Sequence, residues 1–169
     1  AIAVVSYQGQ GGYCERITAR RGKIRGNGHG RGMSVVGGKD ILYEYTEIDG
    51  VTGAAGVYLA QEDSYKTYGC HNVTVRRNSI HNCGNKAIDH TAVMMFSNSY
   101  EKNTKLRVER NLIVFDEGIA NAGGLRDYSD DTGCVIDSNI PLGCSKPYRF
   151  NNAALFTIIP WTNGPVGVR

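Results

Sequence analysis

The chain has 169 residues, 41% hydrophobic and 21% charged, which is room for one domain with a real core or one stack of repeats. Its formal net charge of +3 is too mild to imply nucleic acid or a membrane surface as a partner. No apolar run approaches the roughly 20 residues that span a bilayer, so membrane insertion is not expected.

The N-terminal AIAVVSYQGQ lacks the charged start and the length of a signal peptide and does not open on Met, so a mature or truncated chain is expected. Beyond it, ITARRGKI (17–24) and GMSVV (32–36) read as strands. ILYEYTEI (41–48) is followed by GVYLA (56–60), VTVRRNSI (73–80) by AVMMF (92–96), and LRVERNLI (106–113) by GLRDY (124–128). A last unit turns at Asn139 and ends on ALFTI (154–158). Each second strand opens on Gly or Ala and then alternates, the pattern of a half-buried strand.

Aligned on one turn position, Gly22, Thr46, Asn78, Asn111 and Asn139 are 24, 32, 33 and 28 residues apart. Two or three short strands returning at such an interval, with variable loops between, are a solenoid signature. Glycine, at 22 residues, supplies the many tight turns this requires. The Leu-x-x-Leu-x-Leu frame is absent, and no segment holds a 3.6-residue period for three turns, which sets leucine-rich and helical repeats aside. A β-sandwich is the alternative, but its strands need not repeat one turn residue at one place.

Stacked strands put equivalent positions above one another at about 4.8 Å. The inward column then reads Ala19, Tyr43, Val75, Val108, Ile136, apolar throughout. Its outward neighbour reads Arg20, Glu44, Arg76, Glu109, Asp137, with signs alternating almost to the top, as cross-strand pairing favours. Asn78, Asn111 and Asn139 suit a bend, because Asn tolerates left-handed backbone and bonds its neighbours. Cys14, Cys70, Cys83, Cys134 and Cys144 form no zinc-spaced cluster, and an odd number cannot all pair, so buried free thiols are expected.

The segments NVTVRRNSIHNCG (72–84) and LRVERNLIVFDEG (106–118), with GVYLA and AVMMF, resemble the right-handed parallel β-helix of the pectate-lyase-like superfamily. The reading is therefore all-β: a single domain over 1–169, a single-stranded right-handed parallel β-helix (solenoid) of about five rungs over residues 14–160, and a tail at 161–169. The resemblance implies a polysaccharide partner, bound or cut on the outer face of one sheet and on the long turns beside it. It also implies an extracellular or virion-surface location. A tailspike or adhesin-like homotrimer that binds surface glycan is the alternative, and a purely structural stalk the blandest. Neither end reads as an amphipathic capping helix, so a fragment or partner-protected ends are expected.

On that face the outward residues of the second strands would be Ser34, Tyr58, Met94, Arg126 and Phe156, then Val36, Ala60, Phe96, Tyr128 and Ile158. Aromatic rings stack on sugar faces and Arg pairs with a carboxylate or sulfate; alternatively, a loop or a second subunit covers the strip. The long turns add Glu62, Asp63 and Lys66, with Tyr65 and Tyr68, and a second long turn at 97–105. The segment NKAIDHT brings Asp89 and His90 to the edge of the strip, and the next rung brings Arg126 with Asp127, Asp130 and Asp131.

Two chemistries fit these residues. In β-elimination from a uronate, His90, Lys66 or Arg126 would be the base, and Asp89, Asp127, Asp130 and Asp131 could hold a Ca²⁺ ion. In glycoside hydrolysis two carboxylates flank the bond, and Glu62, Asp63, Asp89 and Asp127 are the available acids. Each of these side chains, taken singly, reads more readily as a solvated or turn-capping group than as a catalytic one. GHGRGMSVVGG (28–38) is similar to the His-bearing stretch of polygalacturonase-type hydrolases, but Arg31 and Gly32 intrude and the acidic motifs that would precede it are missing; His29 reads as a turn residue. No helix follows this Gly-rich loop to cradle phosphate. The sequon at Asn72 sits where a strand begins.

Overall fold

The computed structural model describes residues 1–26, 28–128, 130–152 and 156–160. β-Branched and aromatic residues in alternation form short strands, and Gly, Asn and Asp take the bends between them. Strand β1 (Ile2–Val5) precedes the first complete rung, β2 (Glu15–Arg20), β3 (Lys23–Arg25) and β4 (Met33–Val36). The second rung is β5 (Gly38–Glu44), β6 (Glu47–Asp49) and β7 (Val57–Gln61). The third is β8 (Cys70–Arg76), β9 (Ser79–His81) and β10 (Val93–Ser97). The fourth is β11 (Arg107–Glu109), β12 (Leu112–Val114) and β13 (Leu125–Asp127). The fifth is β14 (Cys134–Asp137), β15 (Ile140–Leu142) and β16 (Tyr148–Phe150), and β17 (Phe156–Ile159) follows.

Three parallel sheets result. The first runs β1-β4-β7-β10-β13-β16, the second β17-β14-β11-β8-β5-β2, and the third β15-β12-β9-β6-β3. Each strand pairs only with its equivalent one rung along, so the chain is a parallel β-helix with five complete rungs. The spacing of turn residues sets the register: Ala19 pairs with Tyr43, Tyr43 with Val75, Val75 with Val108, and Val108 with Ile136.

Between the sheets lies one core that includes Val35, Leu59, Met95 and Leu125 from the first sheet, Tyr43, Val75 and Val108 from the second, and Ile48, Ile80 and Ile113 from the third. Each such side chain stabilises the stack by about 1.5–3 kcal/mol when fully buried. Outside the second sheet, Glu44 accepts a hydrogen bond from Arg76 Nε at 2.9 Å and lies 4.0 Å from Arg20, making the alternating column a real charge ladder. At the corner between the second and third sheets, Asn78, Asn111 and Asn139 stack amide on amide inside the protein. A second buried polar ladder occupies the corner between the first and second sheets, where the Asn103 side chain accepts from Cys70 N–H and Asp131 accepts from Asn103 N–H.

Two expectations are corrected here. Phe156 and Ile158 do not continue the outer columns of the first sheet; they belong to β17, paired with Cys134 and Ile136 of the second sheet. The position next to Arg126 is taken by Arg149 of β16. Strand alternation has the same period in every sheet, so ALFTI alone could not show which sheet it joins. Its Ala154 and Leu155, like the tail at 161–169, lie outside the described residues. All five cysteines are free, but only Cys70, Cys83 and Cys134 are buried; Cys14 is exposed and Cys144 half-buried.

Candidate functional site

The outer face of the first sheet aligns Ser34, Tyr58, Met94, Arg126 and Arg149 in one column. Over its middle folds the turn between β9 and β10. A short 3₁₀ turn, Lys86–Ile88, is capped by Asn85, whose side-chain oxygen accepts from Ala87 N–H at 2.9 Å. Asn85 and His90 exchange backbone hydrogen bonds of 2.7 and 2.9 Å that close the loop. The Asn85 amide also donates to Gly53 O at 3.2 Å, tying the loop to the rung before it.

This loop sets two side chains down on the sheet. His90 stacks on Tyr58 with ring centroids 5.7 Å apart and planes 14° from parallel. Asp89 receives Arg126 Nη1 and, at 2.5 Å, Arg149 Nη1. The two guanidiniums, Arg149 foremost, lower the Asp89 carboxyl to about 2. Arg126 is itself buried and lies 3.9 Å over the ring of Tyr128. Burial, reinforced by the nearby Arg31 charge, lowers the pKa of His90, which keeps the imidazole neutral around pH 7. Its Nδ1 is buried without a hydrogen-bond partner.

Arg31 also reaches Tyr58, from the turn before β4. Its guanidinium carbon lies 3.8 Å from the Tyr58 ring centre, and Nη2 donates to Glu62 Oε1 at 2.9 Å. The Tyr58 hydroxyl donates to the same oxygen at 3.0 Å. Burial, then the Glu62 charge, raises the Tyr58 pKa and holds the phenol protonated. Beside this cluster a groove of about 280 Å³ opens over Ala3, Val5, Ser34 and Val36, walled by Arg31, Glu62, Tyr7 and Tyr65.

The expected strip is therefore not an open aromatic face. Tyr58 is 3% and Met94 5% exposed: Arg31 and His90 lie against the Tyr58 ring, and Met94 packs in a cluster with Val36, Ala55, Tyr58 and Ala60. Phe96 and Tyr128 remain outside, with ring centroids 6.0 Å apart and Tyr128 exposed. Asp127, expected alongside Arg126, faces the interior and is fully buried, since neighbours in a strand point to opposite faces. Asp63 turns away to organise the neighbouring loop, accepting from Ser99 Oγ at 2.8 Å and Tyr100 N–H at 3.2 Å. Lys66 is exposed in left-handed backbone, and it is the Lys66 carbonyl that is engaged, by Gln8 N–H.

The acids expected to hold calcium do not converge. Asp89 is taken by two arginines, and Asp131 is a buried acceptor for Ser97 and Asn103. No group of three or more His, Cys, Asp or Glu side chains arranged for a metal occurs among the described residues. His29 is exposed in the Gly28–Gly30 bend. Two residues of the cluster were not among the candidates. Arg31 stood in plain view as the intruder in GHGRG, whereas Arg149 was hidden by the uncounted strand β16. The chain matches no family model, no curated protein and no solved structure.

Proposed function

We propose that this chain binds and cleaves an acidic polysaccharide on the outer face of its first sheet, as pectate-lyase-like β-helices do. The observation that supports it most is an open groove walled by Arg31, Glu62, Tyr7 and Tyr65, with His90 stacked on Tyr58 behind Arg31 and Glu62. Tyr7 and Tyr65 supply stacking surfaces for sugar rings, and Arg31, which spends one of its N–H groups on Glu62, has others for a uronate carboxylate.

Elimination suits this set better than hydrolysis. Hydrolysis needs two carboxylates across the bond, roughly 5–9 Å apart, and among the described residues Glu62 is the one acid lining the groove. Elimination needs a cation on the uronate and a neutral base. Arg31 would neutralise the carboxylate and acidify the adjacent C–H, and His90 would take that proton. The C–O bond to the neighbouring sugar then breaks, the leaving oxygen takes a proton from water, and an unsaturated uronate end remains.

Incubation with linear polyuronates, monitored by ultraviolet absorbance of the unsaturated product and by new chain ends, tests this. Activity lost in both Arg31→Gln and His90→Gln is expected. Activity unchanged in both, or none on any acidic glycan, removes the reading. Exposed Ile88 (54%) and Tyr128 (45%), flanking the Asp89–Arg126 pair, favour a second reading, a trimeric spike that binds glycan without cutting it. Glycan binding without cleavage by a sedimenting trimer would select it.

A further inference from the structure

The corner between the second and third sheets carries a feature that the proposed site does not use. In each rung the residue before the corner is in left-handed backbone: Arg21 (φ 57°), Tyr45 (φ 54°), Arg77 (φ 54°), Arg110 (φ 55°) and Ser138 (φ 51°). The backbone N–H of each donates to a carbonyl one rung along, as Arg77 does to Glu109 O at 3.2 Å, so these residues form one column along the axis. Gly or Asn holds such backbone at least cost; long side chains do not. Three of the five positions nonetheless carry arginine.

Their charge is not compensated locally. One column away, Arg20 and Arg76 face Glu44, and Arg107 faces Glu109. Arg21, Arg77 and Arg110 have no carboxylate partner among the described residues, and all three are exposed. Of the two rungs without an arginine, the one between Arg21 and Arg77 carries Tyr45, exposed, whose hydroxyl accepts from Arg77 Nη1 and whose ring lies 5.5 Å from the Arg77 guanidinium carbon.

We propose that this ridge binds a linear polyanionic glycan laid along the stack axis, independently of the groove on the first sheet. The spacing favours that partner. Rungs repeat at about 4.8 Å, so Arg21 to Arg110 spans about 14 Å with a cation or an aromatic ring at every step. A polyuronate carries one carboxylate per sugar ring at a comparable repeat, and Tyr45 offers it a stacking face. Duplex DNA presents a charge about every 1.7 Å over a broad cylinder, which a single row of three arginines matches poorly.

The test is calorimetric titration at low salt of the whole chain and of R21N/R77N/R110N with polyuronate oligomers of two to eight residues. Asn keeps the left-handed backbone, so the variant retains the wild-type circular dichroism spectrum and a change in binding reports lost charge. Wild type is expected to gain affinity up to about four sugar residues and to weaken with salt, and the variant to bind on the order of a hundredfold more weakly. Arg31→Gln and His90→Gln leave this ridge binding unchanged while removing cleavage, which separates it from the first-sheet site. Equal affinity in wild type and variant, tighter binding of duplex DNA or phosphatidylserine vesicles than of polyuronate, or no binding to any of them would overturn the proposal.

Discussion

Asn111 Oδ1 accepts two hydrogen bonds from Asn78, one from its backbone N–H and one from its side-chain amide, both at 3.0 Å. Asn111 in turn donates its own amide to Val75 O at 3.0 Å and to Asn139 Oδ1 at 2.9 Å. Both Asn78 and Asn111 are buried, so none of these groups has water as an alternative. Asn111→Leu orphans two donors on Asn78 and the Val75 carbonyl at once. The expected cost is about 3 kcal/mol or more, read from denaturant unfolding; a loss under about 1 kcal/mol would contradict the ladder's role.

His81 lies between two acids of adjacent rungs, with Asp116 at 2.9 Å from Nε2 and Asp49 at 3.2 Å from Nδ1. Asp116, the larger influence, raises the His81 pKa above its ordinary 6.5, and His81 lowers that of Asp116 below its ordinary 3.8. The His81 contribution is fully present below its unfolded pKa and fades as pH rises through the raised folded value. The Asp116 contribution is present above its unfolded pKa and fades as pH falls through the depressed one. Thermal melts should show this clamp strongest at about pH 5 and weakened by about pH 9. In His81→Gln that alkaline decline should shrink; an unchanged decline would place its cause elsewhere.

Asp89 neutralises a buried arginine although its own carboxylate is 49% exposed. Asp89→Asn keeps the left-handed backbone, the Asp89 carbonyl that accepts from Arg126 and the Tyr128 ring beneath it, but leaves Arg126 beside Arg149, a like charge, without the carboxylate between them. Solvent screening at the half-exposed carboxylate holds the expected loss to about 1–2 kcal/mol. In the wild type this pairing persists down to low pH and is lost as pH falls through about 2. Equal stability of the variant and wild type at pH 7 would show that the pair contributes nothing.

Gly26 tests how closely the rungs approach. A Cβ there would lie 2.1 Å from Gly50 O, whereas one at Gly30 would meet nothing within 4 Å. Gly26→Ala should cost about 2 kcal/mol or more through backbone displacement, and Gly30→Ala only the roughly 1 kcal/mol of a left-handed alanine. A reversed order in melting temperature would contradict the packing at this turn.

The legible part of the fold was whatever each rung repeats. Val75 and Val108 announced the inward column, Arg76 and Glu109 the charge ladder, and Asn78 and Asn111 the corner. The last rung is not legible because YRF at 148–150 is short and ALFTI carries the same alternation, which points to Phe156 for the place that Arg149 holds. At the site, sequence adjacency suggests Asp127 as the companion of Arg126, yet adjacency in a strand puts two side chains on opposite faces.

By itself, then, the sequence determined an all-β stack with its register and corner, because period-two burial and one turn residue per rung are local constraints that neighbouring rungs reinforce. Only the tertiary structure decided what lies over Tyr58. Arg31 reaches it from one rung and His90 from another, and Asp89 meets Arg149 across 60 residues. Those contacts are made by turns of unequal length, which carry no periodic signal, and they form only once the rigid sheets have brought the turns together.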